Sequence, residues 1–477
     1  FVSCWHGLGD GTDYNTQDKR AKVRDIFDYA GEKGIPSVFQ TIEDPTNYEM
    51  FLPIAKAADV IFTSDANMVE RYRADTGNQN VRVLEYGVNP FVHNPVGFLN
   101  RHFISRGRFK DAVFFAGSWY KRYPVRCEDC SVLFDGVLDY ALKDLVIADR
   151  NSGLPPAKRK DYEYPDKYKP YCVDAIDHSL LQRVHKLFDF CVSLSTVKDS
   201  DTMCAMRVYE MQALGCLMLS NYALSVSSHF PSVFMASQPR EVEFILSGYT
   251  RQELINLQIE GIRRMFGACT VYHRLNSVFE SIGLDFRFSG KAVAVICMSD
   301  KERQKAQKLV KQQTFSNAEV CDENYVWGEG RNRFGYVVYA DVDALRDPHY
   351  IEDAMNAFKF TDSSYVNYGS GRLCRSSYDY VSGTATEKGT FYDLSKIEGR
   401  EVIFDESSRS KLSGFEILPT RWGRVTSGTA KELGVIVPVY NNGRYLRDRC
   451  FLSLLRSSIF DAMTIYIVDD GSTDDET

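Results

Sequence analysis

Arg207 and Glu210 stand three residues apart in a stretch, 196–215, that follows an apolar run and carries helical periodicity. Three residues is close to one helical turn, so the two side chains share a face while Val208, Met211 and Leu214 take the apolar side. A guanidinium near a helix N-terminus suits a pyrophosphate, and a carboxylate one turn further suits the paired hydroxyls of a ribose. The same spacing equally fits a plain intrahelical Arg–Glu pair, worth about 0.2–0.5 kcal/mol. Upstream, Gly117-Ser118-Trp119-Tyr120-Lys121-Arg122 closes another apolar run with a turn glycine, a hydroxyl and two cations. Such a set can take a phosphate, or its cations can simply be solvated. Further on, Asp341 and Asp343 flank a valine at the end of a third run. Carboxylates so placed can chelate a divalent cation that bridges a diphosphate, or cap a helix beginning near Pro348, or face solvent.

These residues need a scaffold that gathers loop ends, and the apolar runs supply one. Runs at 36–41, 60–63, 112–116, 145–148, 190–194 and 217–220 read as strands, and 19–32, 179–187 and 203–214 between them carry helical periodicity. Alternating strands and helices predict a parallel sheet, whose ligands lie beyond the carboxyl ends of the strands where helix N-termini offer free N–H groups. Asp201 or Thr202 is expected to cap the helix that carries Arg207, and Gly215 to end it in the left-handed conformation. A polar and basic stretch, 94–110, follows the turn-like Gly87-Val88-Asn89-Pro90 and marks a first domain boundary. Two later runs open at Lys291 and Lys431. Each leads a strand into a polar turn and a helix rich in Arg, Lys and Leu, like weak copies of one module.

The bulk composition bounds the function. With 477 residues, the chain exceeds one hydrophobic core and predicts two to four domains. A content of 44% apolar and 25% charged residues is that of a folded globular protein, and no apolar run reaches the eighteen residues of a membrane span. The first residue, Phe1, and the halt just after a strand and turn near the end read as cut termini. A net charge of −7 argues against nucleic-acid binding, which needs a basic surface. The 12 cysteines lack the regular spacing of a secreted disulfide scaffold, which makes the reducing cytoplasm the expected compartment. Cys127 and Cys130 form a lone C-x-x-C without a second pair at zinc spacing.

Several of these segments together resemble a known family. Val197-Lys198-Asp199-Ser200, Arg207-Val208-Tyr209-Glu210, Ala213-Leu214-Gly215 and Asn221, with Phe115-Ala116-Gly117-Ser118 upstream, resemble the CgeB-type, spore-protein-like glycosyltransferases (glycosyl transferases group 1), which have the GT-B fold. Thr41-Ile42-Glu43-Asp44-Pro45 through to Phe62-Thr63-Ser64-Asp65 is similar to the end of their N-terminal domain, so the likeness covers roughly residues 1–285 with the front of the first domain missing. The resemblance implies an acceptor-side domain at 1–100 and a nucleotide-sugar-binding domain at 101–287, with the active site between them. It implies that Glu210 holds the donor's ribose, and that Gly117, Ser118, Lys121, Arg122, Lys198, Arg207 and Asn221 join it in donor binding. Related enzymes often carry a second glutamate eight residues earlier, where this chain has Thr202 beside Asp201. No metal cofactor is implied for this half, because cations and helix N-termini stabilise the departing diphosphate. Inversion at the sugar would need a base for the acceptor, and Glu43, Asp44 and His6 are the candidates; Asp44 alternatively caps the helix after Pro45.

A second resemblance follows. Val435-Ile436-Val437-Pro438-Val439-Tyr440-Asn441, then Tyr466 to Asp474 with its Asp469-Asp470-Gly471-Ser472 turn, closely resembles the start of family 2 glycosyltransferases with the GT-A fold, here 429–477. It implies that Pro438 and Tyr440 help bind a nucleotide, that Asp469 or Asp470 meets its base, and that the complete domain uses a divalent cation, Mg or Mn. Residues 288–428 look like a shortened, degenerate version of that module, with Asp341 and Asp343 where the metal pair would fall. Its first strand ends in Cys297-Met298-Ser299 instead of proline and tyrosine, and Val320-Cys321-Asp322-Glu323-Asn324 stands in place of the aspartate turn. Glu416 falls near the place of an acceptor-activating carboxylate.

The expected architecture is therefore α/β: a GT-B-like pair of Rossmann-type domains, a degenerate GT-A-like domain, and the truncated start of a second GT-A domain. The expected activity moves a sugar from a nucleotide-activated donor to a cell-surface glycan or glycoconjugate, through a glycan or lipid-linked acceptor. It would run in the cytoplasm with peripheral contact to the inner membrane face. Two rivals remain open: a polyol-phosphate transferase of teichoic-acid type with the same phosphate geometry, and a scaffold of transferase-like domains with no nucleotide affinity in 112–285.

Overall fold

The computed structural model describes residues 17–42, 44–97, 112–288, 290–368, 378–417, 433–443, 446, 450, 454 and 463–473. They belong to two compact units, 1–419 and 420–477.

Among the described residues the larger unit holds three sheets. The first is parallel and three-stranded, in the order β1 (Val38–Thr41), β2 (Val60–Thr63), β3 (Val81–Val83). The second contains β4 (Val113–Gly117), β5 (Leu145–Asp149), β6 (Cys172–Val173), β7 (Phe190–Ser193), β8 (Leu217–Ser220) and β9 (Val233–Met235), all parallel, in the order β6-β5-β4-β7-β8-β9. Every residue of β4, β7 and β8 is buried, which is why these strands read as unbroken apolar runs. Alternate side chains feed two cores. Val113 and Phe115 pack with Cys130, Leu133 and Phe134, while Phe114 and Ala116 pack with Val208, Tyr209 and Met211.

The third sheet is mixed. It contains β10 (Ala292–Ile296), β11 (Ala318–Cys321), β12 (Phe334–Tyr339), β13 (Tyr365–Tyr368), β14 (Asp379–Ser382), β15 (Phe391–Asp393) and β16 (Ser413–Ile417), in the order β11-β10-β12-β15-β13-β16-β14. β15 is antiparallel to both β12 and β13, and β14 is antiparallel to β16. The second and third sheets share one core, in which Ile259, Ile262 and Phe266 of the Arg251–Ala268 helix meet Ile351, Ala354 and Phe360 of the Tyr350–Phe360 helix. Between these helices Arg263 and Asp353 form a buried bidentate pair, Nε to Oδ1 at 2.7 Å and Nη2 to Oδ2 at 2.6 Å. The Val271–Ser281 helix then returns to the three-stranded sheet, where Val278 and Ile282 pack beside Val60, Phe62 and Leu84. Gly87 makes that return tight: a Cβ there would lie 2.9 Å from Arg274 Cγ and 3.1 Å from the Val271 backbone.

The smaller unit pairs β17 (Leu433–Val439) with β18 (Met463–Asp469) in parallel, Leu433 opposite Met463 and Val439 opposite Asp469.

One helix departs from the sequence expectation. The helix carrying Arg207 spans Arg207–Ala213, not 203–214, and its N-cap position is Met206, so neither Asp201 nor Thr202 caps it. Tertiary hydrogen bonds hold the preceding loop extended, as described below. The C-terminal end does follow the expectation: Gly215 has φ +76°, its N–H donates to Gln212 O, and Cys216 N–H donates to Met211 O.

Candidate functional site

The six-stranded sheet changes direction between β4 and β7. From β4 the chain steps outward to β5 and β6, then crosses to β7 on the other side of β4 and steps outward to β8 and β9. The Pro124–Asp135 helix after β4 and the Arg207–Ala213 helix after β7 cover opposite faces, as their two cores show. Such a reversal leaves a crevice at the carboxyl ends of the central strands. Ser118 follows β4 there, and Leu194 and Ser195 follow β7.

Arg207 is half-buried beside this crevice, and among the described residues its guanidinium has no hydrogen bond or ion pair. Burial pulls its pKa down from the ordinary value, Glu210 pushes the other way, and the positive charges of Arg126 and Arg150 add to the lowering. Three guanidiniums thus act on one another without a carboxylate salt-bridged to Arg207. Arg126 comes from the helix after β4 and donates to Ser118 O at 3.0 Å. Arg150 directly follows β5, is exposed, and its backbone N–H donates to Gly117 O at 3.1 Å. The intrahelical Arg207–Glu210 pair that the spacing allowed is not formed. Glu210 Oε1 instead lies 3.4 Å from His93 Nε2, with the Glu210 side chain 15% exposed. A helix of seven residues brings little dipole, so the attraction for an anion comes from the arginines.

The other sequence-derived donor residues are distributed around this crevice in different states. Lys198 Nζ pairs with Asp129 Oδ2 at 2.7 Å. Asn221 is buried and bridges three elements: its Oδ1 accepts from Ser195 N, and its Nδ2 donates to Ser195 O and Asp129 Oδ2. It shapes the loop after β7. Gly117 is needed for packing, since a Cβ there would meet the Phe115 ring at 2.5 Å. Ser118 is buried and its Oγ accepts from Asn151 Nδ2 at 2.9 Å. Lys121 and Arg122 are exposed and turned to other tasks: Lys121 Nζ donates to Lys160 O, and Arg122 lies 4.8 Å above the Tyr123 ring. Cys127 and Cys130 lie on the Pro124–Asp135 helix with free thiols, and burial pushes both thiols up from their ordinary pKa.

Facing this region is the end of β2. Thr202 Oγ1 donates to Ser64 O at 2.8 Å and accepts from Ala66 N at 2.9 Å, and Ser200 Oγ donates to Asp65 Oδ1 at 2.6 Å. Asn67 Nδ2 adds a longer bond to Asp199 O, 3.4 Å. These bonds seam the loop before the Arg207–Ala213 helix to the three-stranded sheet, and so account for the late start of that helix. Asp44, a candidate base, is fully buried; it accepts from Thr63 Oγ1 at 2.6 Å and Tyr72 Oη at 3.2 Å. Nor does it cap the following helix, Tyr48–Ala55, whose N-cap residue is Asn47. Glu43 and His6 lie outside the described residues.

At the end of β12, Asp341 Oδ1 accepts from the backbone N–H groups of Asp343 and Ala344, at 3.0 and 3.3 Å. It binds the backbone leading into the short Ala344–Arg346 turn, whose N-cap residue is Asp343, and does not cap the helix near Pro348, whose N-cap residue is His349. Asp343 is 88% exposed and pairs with Arg346 at 3.2 Å. Asp322, in the segment that replaces the aspartate turn, accepts from Asn324 and Tyr325 N–H as the cap of the Glu323–Trp327 helix. Among the described residues no group of three or more His, Cys, Asp or Glu side chains could hold a metal ion.

In the smaller unit the two strand-end turns clasp each other. Asp470 N–H donates to Val439 O, Asn441 N–H to Ser472 Oγ, and Thr473 N–H to Asn441 Oδ1. Asp469 accepts from Ser472, whose hydrogen bonds hold its carboxyl below the usual range. Pro438, Tyr440 and Asp470 are exposed at this clasp.

Sequence reasoning did not single out Arg126, Arg150, Asp129 or His93. Arg150 carried a usable signal, since it directly follows a buried strand. Arg126, Asp129 and His93 did not, because their approach to Ser118, Lys198 and Glu210 depends on how the elements pack.

No protein-family model matches this chain, and no curated protein matches it by sequence. Solved structures do match. HepE of Anabaena in complex with UDP-glucose is 12% identical, with 55% of this chain and 76% of that one covered and a TM-score of 0.41. A glycosyltransferase from Rickettsia africae is 11% identical, with 57% and 82% covered and a TM-score of 0.39. Sucrose-phosphate synthase from Thermosynechococcus elongatus is 13% identical, with 56% and 78% covered and a TM-score of 0.39. Among the described residues no helix is long and apolar enough to cross a membrane.

Proposed function

We propose that the first half of this chain is a GT-B-type glycosyltransferase, related to the CgeB type, that takes a nucleotide-activated sugar at the β4/β7 crevice and passes the sugar to a glycan or lipid-linked acceptor. The carrying observation is Arg207: a half-buried guanidinium without a partner among the described residues, with Arg126 and Arg150 adding positive charge at the reversal of a parallel sheet. A diphosphate would supply the missing negative charge, and charge-assisted bonds to it would strengthen as the leaving group departs. Glu210 lies one turn from Arg207 and takes the ribose. The reading places the reaction in the cytoplasm, at the inner membrane face. No cofactor is required by this half.

In the same proposal, residues 288–428 are a degenerate GT-A-like domain that does not turn over a sugar nucleotide, since Asp341 and Asp343 are engaged locally and Asp322 is a helix cap. The smaller unit carries a nucleotide-binding turn of the family 2 type, with Asp470 exposed for the base and a divalent cation needed once such a domain is complete.

The test is transfer of label from a panel of sugar nucleotides by the full chain, with and without EDTA. Label should reach an acceptor, and chelation should leave the first half's activity nearly intact. Loss of that activity in EDTA, restored by manganese or magnesium, would count against the assignment. A labelled polyol phosphate in the product would favour the rival transferase.

A further inference from the structure

The six-stranded sheet carries a second concavity at the carboxyl ends of β8 and β9, a cavity of about 400 Å³ lined by apolar Met235 and Ile245, aromatic Tyr222 and Phe244, and polar Ser237 and Glu241. That volume suits a small ligand. Ala236 N–H donates to Ser220 O at 3.0 Å and ties the two strand ends together. Leu224 N–H donates to Lys198 O at 2.9 Å, so the segment after β8 lies against the loop that borders the β4/β7 crevice. Tyr222 is 50% exposed and Phe244 67%. Among the described residues neither ring meets another ring or a cation, and Tyr222 Oη has no hydrogen bond. Single exposed aromatics are ordinary, but these two line one cavity.

Glu241 is the one charged residue of the lining. Its Oε2 accepts from Ser237 N–H at 2.7 Å, Ser237 Oγ at 3.1 Å and Gln238 N–H at 3.1 Å, which fixes the carboxylate at the start of the Pro239–Ser247 helix. These bonds, that of Ser237 N–H foremost, hold its carboxyl below the usual range, so it is ionised at neutral pH. Oε1 has no hydrogen bond among the described residues.

Such a lining selects by chemistry. A phosphate or an acidic sugar would meet a negative charge and no cation. A wholly apolar ligand would strip water from the carboxylate and give nothing back. A neutral pyranose suits both parts: its polarised C–H face lies against the negative face of an aromatic ring, and its hydroxyls donate to a carboxylate oxygen. A nucleobase also stacks, but the nucleoside is drawn elsewhere. With its ribose at Glu210 it follows the Arg207–Ala213 helix, whose Val208 and Met211 enter one core, while the Pro239–Ser247 helix buries Val242 with Val113 and Phe115 in the core of the opposite face. Along the sheet, cavity and crevice are two strand spacings apart, about 10 Å, which is the place of the next unit in a glycan and not of a sugar bonded to the diphosphate.

We infer that this cavity is an acceptor subsite for one neutral pyranose unit of the glycan, a step away from the reacting sugar: Tyr222 and Phe244 take its C–H faces and Glu241 Oε1 its hydroxyls. The inference deepens the proposed function and rests on it.

The experiment follows binding of the methyl glycosides of glucose, galactose, mannose and N-acetylglucosamine to the full chain by saturation-transfer NMR, and of uridine, guanosine and adenosine diphosphates by calorimetry. At least one glycoside should bind, with a diphosphate present or absent. Phe244→Ala and Tyr222→Ala, each removing an exposed ring, should weaken that glycoside by roughly tenfold. Glu241→Gln keeps an oxygen for the Ser237 and Gln238 N–H groups and removes the charge; it should weaken the glycoside by about threefold. Diphosphate affinity and the thermal midpoint should stay as they are in all three variants. If a diphosphate binds and no glycoside does, the subsite is overturned and the donor site stands. Glycoside binding unchanged in both aromatic variants also overturns it, by placing the sugar elsewhere. So does loss of diphosphate affinity in Phe244→Ala, or displacement of the glycoside by a diphosphate, either of which would put the nucleotide in the cavity. A glycoside held by these residues in a protein that binds no diphosphate would overturn the donor-site reading, and the acceptor role with it.

Discussion

The β4/β7 crevice and the end of β12 are both formed by loops at the carboxyl ends of parallel strands, and both carry charged side chains. At the crevice the charges are positive, come from three separate elements and leave Arg207 without a partner among the described residues. At β12 they are negative and engaged nearby: Asp341 is bound by the two N–H groups that follow it, and Asp343 by Arg346 three residues on. A charge satisfied by its own loop holds that loop in shape. One that packing brings beside like charges, with nothing to neutralise it, is prepared for a ligand.

The largest expected effect tests whether the two regions are one mechanical body. Arg263→Ala would take the bidentate guanidinium away from the buried Asp353, and should destabilise by about 3–5 kcal/mol. Denaturant unfolding of the larger unit should remain a single transition with a lower midpoint. Two separated transitions would show that the sheets bearing the two sites fold apart.

Next in size is the contrast between Arg207 and Arg122. Arg207→Ala should weaken nucleoside-diphosphate binding by about 1.5–3 kcal/mol, as expected for a lost charge-assisted hydrogen bond. Arg122→Ala, which removes an exposed cation stacked on Tyr123, should leave the affinity unchanged. Equal losses measured by calorimetry would mean that the anion sits outside the crevice.

Acid should weaken the positive region through His185, whose pKa is lowered to about 3 by burial and then by the charge of Arg207. Above about pH 6.5 neither the folded nor the unfolded chain protonates this ring, so its contribution is fully present. Below that the unfolded chain takes the proton and the folded one does not, and stability falls by about 1.4 kcal/mol per pH unit toward pH 3. His185→Phe should flatten that part of the thermal-unfolding profile between pH 6.5 and 4.

The smallest effects belong to β12. Asp341→Ala should cost about 1 kcal/mol through the lost bonds to the Asp343 and Ala344 N–H groups, and Asp343→Ala no more than about 0.5 kcal/mol as a lost surface pair. Replacing both by Asn should leave the product profile unchanged; loss of one glycosyl addition would show a working transferase at this site.

Much of the scaffold was legible because burial on both faces leaves a plain signal. Val60–Thr63 and Leu217–Ser220 coincide with their apolar runs, and Gly215 ends its helix as its type requires. The strands Val81–Val83, Cys172–Val173 and Val233–Met235 are two or three residues long, too short for periodicity to separate them from loops. The start of the Arg207 helix was misplaced because residues 203–206 keep helical spacing but answer to hydrogen bonds from a sheet more than a hundred residues away. Of the site, Arg207 was visible as an alternative that spacing left open. Its freedom was not, since that depended on His93 drawing Glu210 aside.

The seam between the loop at 199–202 and the end of β2 is built from Ser, Thr and Asp, with Asn67 adding the longest bond. Short side chains lose little rotamer freedom when such a contact forms and regain little when it breaks. Water can replace each hydrogen bond at a net difference of about 0.5–1.5 kcal/mol. Unlike the apolar packing of Val278 and Ile282 beside Val60 and Phe62, this part of the join behaves like a zip fastener, undone one tooth at a time. Thr202, which bonds at both Ser64 and Ala66, is the tooth on which admission of a bulky molecule would turn.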